Sequence, residues 1–165
     1  MFATCMFRDV PGSKNWVQVD RKGKPIPYGA AVYARKPTRY LACLNNPSWQ
    51  RYQKKKVDFI LELNPDILML DNSITNCYCR YCQERFHQYT KKILGKPEDL
   101  LSFSEGGFYE SGGVEDIKVD ETGQMTALVL EDFRLKNIRQ YSKNLKRYVQ
   151  KKKGNILLHH NVHHA

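Results

Sequence analysis

The sequence predicts an α/β protein built on a parallel sheet, and three observations carry that reading. Ile67-Leu68-Met69-Leu70 is a short, wholly apolar run that starts directly after Asn64-Pro65-Asp66 and stops at Asp71-Asn72. Asn155-Ile156-Leu157-Leu158 has the same character and ends in His159-His160-Asn161. Each run follows a stretch whose apolar residues keep helical spacing. Helix then buried strand, twice over, is the order of successive units in a parallel α/β sheet.

Residues 1–35 read as irregular. Within them Val17-Gln18-Val19-Asp20 alternates like a short strand, Arg21-Lys22-Gly23-Lys24-Pro25 reads as a turn, and Pro25 and Pro27 exclude a helix. Asn46 suits an N-cap with Pro47 at the first helical position. Trp49, Tyr52, Val57, Ile60 and Leu63 then mark the inner stripe of a helix that ends at Asn64, since the residue before Pro65 avoids the α region. A second helix is expected over 80–94, with Phe86, Tyr89 and Ile93 inward and Gly95-Lys96-Pro97 closing it. Residues 96–124, rich in Gly, Glu and Asp, read as a long excursion with a hairpin turn at Lys118–Gln124. A third helix is expected over 128–152, with Leu135, Ile138, Leu145, Tyr148 and Val149 buried, and Gly154 stopping it.

The chain has 165 residues, 41% hydrophobic and 27% charged, enough for one domain with a core. No apolar stretch approaches the roughly 18 residues of a membrane span, and Arg8 and Asp9 interrupt any signal-peptide core. The cytoplasm is the favoured compartment. The net charge of +10 is uneven: Arg134 to Lys153 holds nine basic residues and no acidic one. That is the pattern of a solvated outer helix face, with a basic nucleic-acid-binding face as the alternative.

Cysteine usage points to a metal. Three of the five cysteines crowd into Cys77-Tyr-Cys79-Arg-Tyr-Cys82. Cysteines one residue apart seldom reach disulfide geometry with each other, and thiols at such spacing suit zinc, which prefers closed tetrahedral sulfur sets in structural sites. Cys43, just before the capped helix, is the expected fourth ligand; Cys5 and His87 compete for that place.

The residues Cys43-Leu-Asn45-Asn46-Pro47-Ser-Trp49, then Leu70-Asp71-Asn72, then Cys77-Tyr78-Cys79-Arg-Tyr-Cys82-Gln83-Glu84-Arg85-Phe86 resemble the family 42 β-galactosidases and related glycosidases. Glu131-Asp132-Phe133-Arg134 is similar, more loosely, to the family's E-W-x-x-F-R segment. The resemblance implies a fragment of a (β/α)8 TIM barrel, one partial domain over residues 1–165, truncated at one or both ends because a whole barrel needs about 250 residues. It also implies a structural zinc ion held by four cysteines, Cys43, Cys77, Cys79 and Cys82, that staples a loop, and a carbohydrate substrate. The family's acid/base glutamate follows its D-N pair; here that position is Ser73, so this carboxylate does not carry over.

Each remaining candidate has a plainer role beside its chemical one. Asp71 ends a barrel strand, where catalytic residues lie, but Asp also fixes loops through local hydrogen bonds. Glu131 is a possible second catalytic carboxylate or merely a favourable charge in a first helical turn. Asn72, Arg134 and Asn161 are the candidates for substrate contact. Tyr28, Tyr33, Tyr40 and Trp16 can stack on sugars or pack a core. The cluster His159, His160, His163, His164 is either a metal-binding tract or a frayed end. Two function classes follow: a glycoside-hydrolase-like carbohydrate-active protein, and a basic zinc-knuckle protein that grips nucleic acid.

Overall fold

The structure, a computed structural model, describes residues 2–3, 5–7, 10–28, 39–71, 73–103 and 121–160. In chain order the elements are β1 (Phe2–Ala3), β2 (Cys5–Phe7), β3 (Arg39–Leu41), α1 (Pro47–Leu61), β4 (Ile67–Asp71), α2 (Arg80–Leu94), α3 (Glu121–Lys152) and β5 (Leu157–His160). Strands β1, β4 and β5 form a parallel sheet in that order, with Phe2 opposite Leu70, Ile67 opposite Leu157 and Leu70 opposite His160. Strands β2 and β3 pair antiparallel in a second, small sheet. The α/β class with parallel central strands therefore holds. Among the described residues no helix is long and apolar enough to cross a membrane.

Local chemistry explains the helix starts. The Asn46 side chain accepts from the Ser48 and Trp49 amides at 2.9 and 3.2 Å, and Pro47 opens α1. At the other end Asn64 takes φ 50°, a left-handed conformation that Asn tolerates, and stops the chain from continuing as helix. Cys79 is the N-cap of α2, and Gly95, at φ 77°, ends it.

The main core lies between α1, α3 and one face of the sheet. Leu44, Val57, Leu61, Leu68, Leu70, Ile138, Tyr141, Leu145, Val149 and Ile156 form it. Beside it Trp16, Ala42 and Trp49 make an aromatic cluster, with the Trp16 and Tyr52 rings 4.8 Å apart. Tyr40 packs on the same cluster and Arg39 lies over the Tyr28 ring, so these aromatics serve packing; Tyr33 lies outside the described residues.

Several expectations need correction. The first residues are not wholly irregular: β1 and β2 join the two sheets, and Arg39–Leu41 is a strand. Val17 and Val19 make only isolated bridges, to Ala42 and Pro25. The run Ile67–Leu70 is buried on one face alone, because strand side chains alternate: Leu70 is fully buried while Ile67 is 57% exposed. Leu63 is 73% exposed because α1 ends at Leu61, which takes the inward position. Ile93 is exposed as well, since the inward positions of α2 are Cys82, Phe86 and Thr90. Thr90 fits there by donating to the Phe86 carbonyl and accepting the Glu98 amide. Glu121–Gln124 belong to α3 and not to a hairpin turn. A glycine inside a helix, here Gly123, costs only about 1 kcal/mol relative to alanine. Residues 118–120 lie outside the described residues.

One polar residue organises the loops. Gln18 is fully buried, and its amide nitrogen donates to the Ala42 carbonyl at 3.0 Å and the Ile74 carbonyl at 2.6 Å. Its side-chain oxygen accepts the Asn76 amide at 2.8 Å. The expected turn follows it, with the Asp20 carboxylate accepting the Lys22 and Lys24 amides and Gly23 at φ 75°.

This packing sets two expected outcomes. Leu70→Ala lowers stability by about 2–5 kcal/mol, whereas Lys143→Glu with Lys146→Glu, both exposed on α3, stays within about 0.5 kcal/mol for each change; urea unfolding of the three proteins reads the difference. Gln18→Leu leaves the Ala42 and Ile74 carbonyls and the Asn76 amide without this partner, at about 1–3 kcal/mol for each group that stays buried. Amide hydrogen exchange in Gln18→Leu should show lost protection at Asn76 and its neighbours, with α3 unchanged.

Candidate metal centre

Four cysteines from separate segments converge. Cys43 follows β3, where its amide donates to the Trp16 carbonyl at 2.7 Å. Cys77 and Cys79 lie on the loop after β4, pinned where the Tyr78 amide donates to the Val19 carbonyl at 2.9 Å. Cys82 sits in the first turn of α2. The Gln18 bonds on both sides hold the two loops together, since Ala42 precedes Cys43 and Asn76 precedes Cys77.

The sulfurs of Cys43, Cys77, Cys79 and Cys82 all lie within 4.8 Å of one another. Cys43 Sγ is 3.5 Å from Cys79 Sγ and 3.6 Å from Cys82 Sγ. Cys43, Cys77 and Cys82 are buried and Cys79 is half-buried. All four are free thiols that can hold one metal ion. Their acidities are split by their contacts. Hydrogen bonding with Cys77, with burial added, holds the Cys43 thiol well above its ordinary range. Hydrogen bonds from Cys43, Cys77 and Cys82 lower Cys79. For Cys82 the bond from Cys43 lowers the pKa but Cys77, Cys79 and burial outweigh it. A cation would remove this conflict by letting all four ionise.

An apolar shell surrounds the cluster: Phe86, Leu100, Phe103, Leu130 and Phe133 pack with the cysteines. The Phe86 ring meets Phe103 and Phe133 edge-on at 4.8 and 5.0 Å. Arg21 ties the Asp20–Lys24 turn to this shell by donating to the Phe103 carbonyl at 2.9 Å and to the Leu101 carbonyl. Asn45 and Arg85 lie beside Cys82: Asn45 Nδ2 donates to its sulfur at 3.3 Å and Arg85 donates to Asn45 Oδ1 at 3.0 Å. Gln18 stands in the alternating Val17–Asp20 run, and Asn45 and Arg85 stand in the motif segments, but nothing local in the sequence shows the burial of Gln18 or the contact between Asn45 and Arg85.

The other candidates are placed as follows. His87 is exposed and bonds Gln83 at 2.7 Å, outside the sulfur cluster. Cys5 lies in β2 opposite Leu41. Asp71 is half-buried at the end of β4, opposite Ala3 of β1. Glu131 is exposed on α3, in the helical layer and not the sheet. Arg134 donates to the Tyr78 hydroxyl at 3.4 Å, which links α3 to the cysteine loop. Asn72 and Asn161, with His163 and His164, lie outside the described residues; His159 is exposed on β5, beside Met69.

Three lysines of the basic segment of α3 and its end have partners at the surface of the fold. Lys136 pairs with Asp132 at 2.5 Å, Lys152 with Asp58 at 3.4 Å, and Lys153 donates to the Leu61 carbonyl at 2.9 Å. The Lys136 bond, and then the Tyr89 hydroxyl, hold the Asp132 carboxyl below its usual value.

No protein-family model matches the chain, and no curated protein sequence matches it. The fold is similar to that of a β-galactosidase from Bacillus circulans sp. alkalophilus, with a TM-score of 0.57 and 19% identity over 92% of this chain and 24% of that one. It is also similar to the polyextremophilic β-galactosidase of the Antarctic haloarchaeon Halorubrum lacusprofundi, with a TM-score of 0.56 and 15% identity over 90% of this chain and 24% of that one. The chain thus spans about a quarter of the length of each. At these identities the likeness is one of fold, and it gives the nucleic-acid alternative no support.

Proposed function

We propose that the chain is part of a (β/α) barrel of the glycoside-hydrolase type, that Cys43, Cys77, Cys79 and Cys82 hold one structural zinc ion, and that Asp71 contacts a glycoside at the C-terminal end of the strands. The observation that carries this reading is the position of the sulfur cluster on the loop that follows Asp71, in a fold similar over nine-tenths of the chain to two β-galactosidases.

Strand alternation supports the place of Asp71. Leu68 and Leu70 face the helices, so Ile67, Met69 and Asp71 share the opposite face. On that face Ile67 and its neighbour Leu157 are 57% and 66% exposed. Parallel sheets are normally covered on both sides. In a barrel this face would be the packed interior, and Asp71 would open onto its C-terminal mouth. Among the described strand ends Asp71 supplies the one carboxylate. Glycoside hydrolysis uses two, and Ser73, buried without a hydrogen-bond partner among the described residues, stands where the resemblance expects the other. Glycoside binding is therefore the part of the activity that Asp71 serves directly. Glu131 lies on the solvent side of the helical layer, where its charge suits the basic surroundings of α3.

The donor set fits zinc. Sulfurs about 2.3 Å from a tetrahedral ion lie about 3.8 Å apart, and the Cys43 contacts of 3.5 and 3.6 Å are close to that. Four thiolates leave no open coordination position, so the zinc would supply a cross-link and no chemistry. Asp71, from the strand end, would orient a sugar hydroxyl.

Two measurements test the reading. Purified after metal-replete expression, the protein should contain one zinc per chain by elemental analysis. Because thiols lose protons when they become ligands, affinity should fall as pH is lowered and uptake should release protons; zinc at background level, or affinity that does not depend on pH, defeats the assignment. In the full reading frame that contains this chain, Asp71→Asn should keep zinc and folding while weakening glycoside binding or turnover at least tenfold. Cys79→Ser should lose zinc and stability first, with activity following. A glycosidase unchanged by Asp71→Asn would mean that Asp71 only fixes its loop.

A further inference from the structure

The four sulfurs do not have equivalent surroundings. Beyond the thiols, the Cys82 sulfur accepts from the Asn45 side-chain amide at 3.3 Å, and the Cys77 sulfur accepts the Cys79 backbone amide at 3.5 Å. Asn45 is itself buried, and its oxygen accepts Arg85 at 3.0 Å. The same Arg85 nitrogen reaches the oxygen of buried Asn137 on α3 at 3.5 Å.

The chemistry of the donors fixes the direction of this chain of bonds. A guanidinium only donates, so the Asn45 oxygen must face Arg85 and its NH2 must face the sulfur. Charge is thereby relayed from a cation, through a polarised amide, to one sulfur. A divalent ion on four thiolates leaves a net negative centre, which a nearby guanidinium offsets and a sulfur-facing amide donor orients.

We propose that Asn45 and Arg85 are positioning residues for the metal centre, which make Cys82 its most tightly held ligand and leave half-buried Cys79 as the ligand that is released first. The inference rests on the reading of the four cysteines as a metal site. The bond from Arg85 to Asn137 also joins α2 to α3, so Arg85 is common to the relay and to that helix link.

The test uses the full chain loaded with cobalt(II) or zinc(II). Arg85→Met and Asn45→Leu should each weaken the metal by about 10–100-fold in competition with a chelator, the usual effect of losing an outer partner. They should also shift the thiolate-to-cobalt absorption while leaving far-UV circular dichroism unchanged. Arg85→Lys, which keeps the cation, should recover most of the affinity. With limiting N-ethylmaleimide on the zinc-loaded protein, Cys79 should be modified first and Cys82 last, and Asn45→Leu should advance Cys82 in that order. Equal losses in Arg85→Lys and Arg85→Met would show that only packing matters and overturn the charge relay. An unchanged order of modification in Asn45→Leu would overturn the role of Asn45. Failure of the wild-type chain to take up cobalt would overturn the metal reading itself and is scored before any variant.

Discussion

Gln18 is the side chain that ties together three segments with little regular structure of their own, and the four thiols meet where those segments converge. Residues 16–28, 42–46 and 73–79 lie between elements, joined by isolated bridges and by scattered backbone hydrogen bonds such as Cys43 to Trp16 and Tyr78 to Val19. Gln18 satisfies two carbonyls and one amide across them from a fully buried position. With those loops in place, Cys43 and the Cys77–Cys82 knuckle stand opposite each other at sulfur contact distance. The aromatic shell of Phe86, Phe103 and Phe133 packs against the cluster, in which three of the four thiols are buried, and such apolar surroundings strengthen polar contacts. The centre and the loops depend on each other: the loops bring the sulfurs together, and the sulfurs, once bound to an ion, would fix the loops.

The order of the elements and the site's ligands are readable to different depths. The Asn46-Pro47 start of α1 and the strand at Ile67–Asp71 follow from cap chemistry and apolar runs that act within a few residues, whereas α1 stops at Leu61, before the expected Asn64, and β5 is shifted two residues along, to Leu157–His160 in place of Asn155–Leu158. The cysteine trio is equally local, and Cys43 is within reach because it directly precedes a recognisable helix start. What the sequence hides is set by long-range partners. Phe2–Ala3 is a strand only because β4 is there to pair with it. Leu63 and Ile93 fit a helical stripe, but Leu61 and Thr90 take the inward direction. The Val17–Asp20 alternation sets Gln18 apart from the valines without showing that it is buried, and only tertiary contact gives Gln18 and Asn45 their roles.

The basic character of the chain is largely a property of the outer helical layer. Arg139, Lys143, Lys146, Arg147 and Lys151 lie on the exposed side of α3, while Ile138, Tyr141, Leu145 and Val149 of the same turns are buried. Such a division is what an outer helix of an α/β layer needs. Lysines near the helix end turn back toward the fold, to Asp58 and to the end of α1. Tyr148 adds to this seam, its hydroxyl donating to both oxygens of Asp58 at 2.8 Å.

The spacing of the four sulfurs along the chain has a topological result. Cys43 and Cys79 are 36 positions apart, and all of α1 and β4 lies between them. An ion on all four sulfurs therefore closes a ring that encloses one entire helix and one entire central strand. On the chain-entropy argument used for disulfides, a cross-link of that span restricts the unfolded chain by about 4 kcal/mol. The enclosed unit is also the one that seats Asp71. Escape of the ion would open the ring at the single remote ligand, so the restraint on the enclosed helix and strand would be lost in one event, leaving β4 to its pairing with β1 and β5.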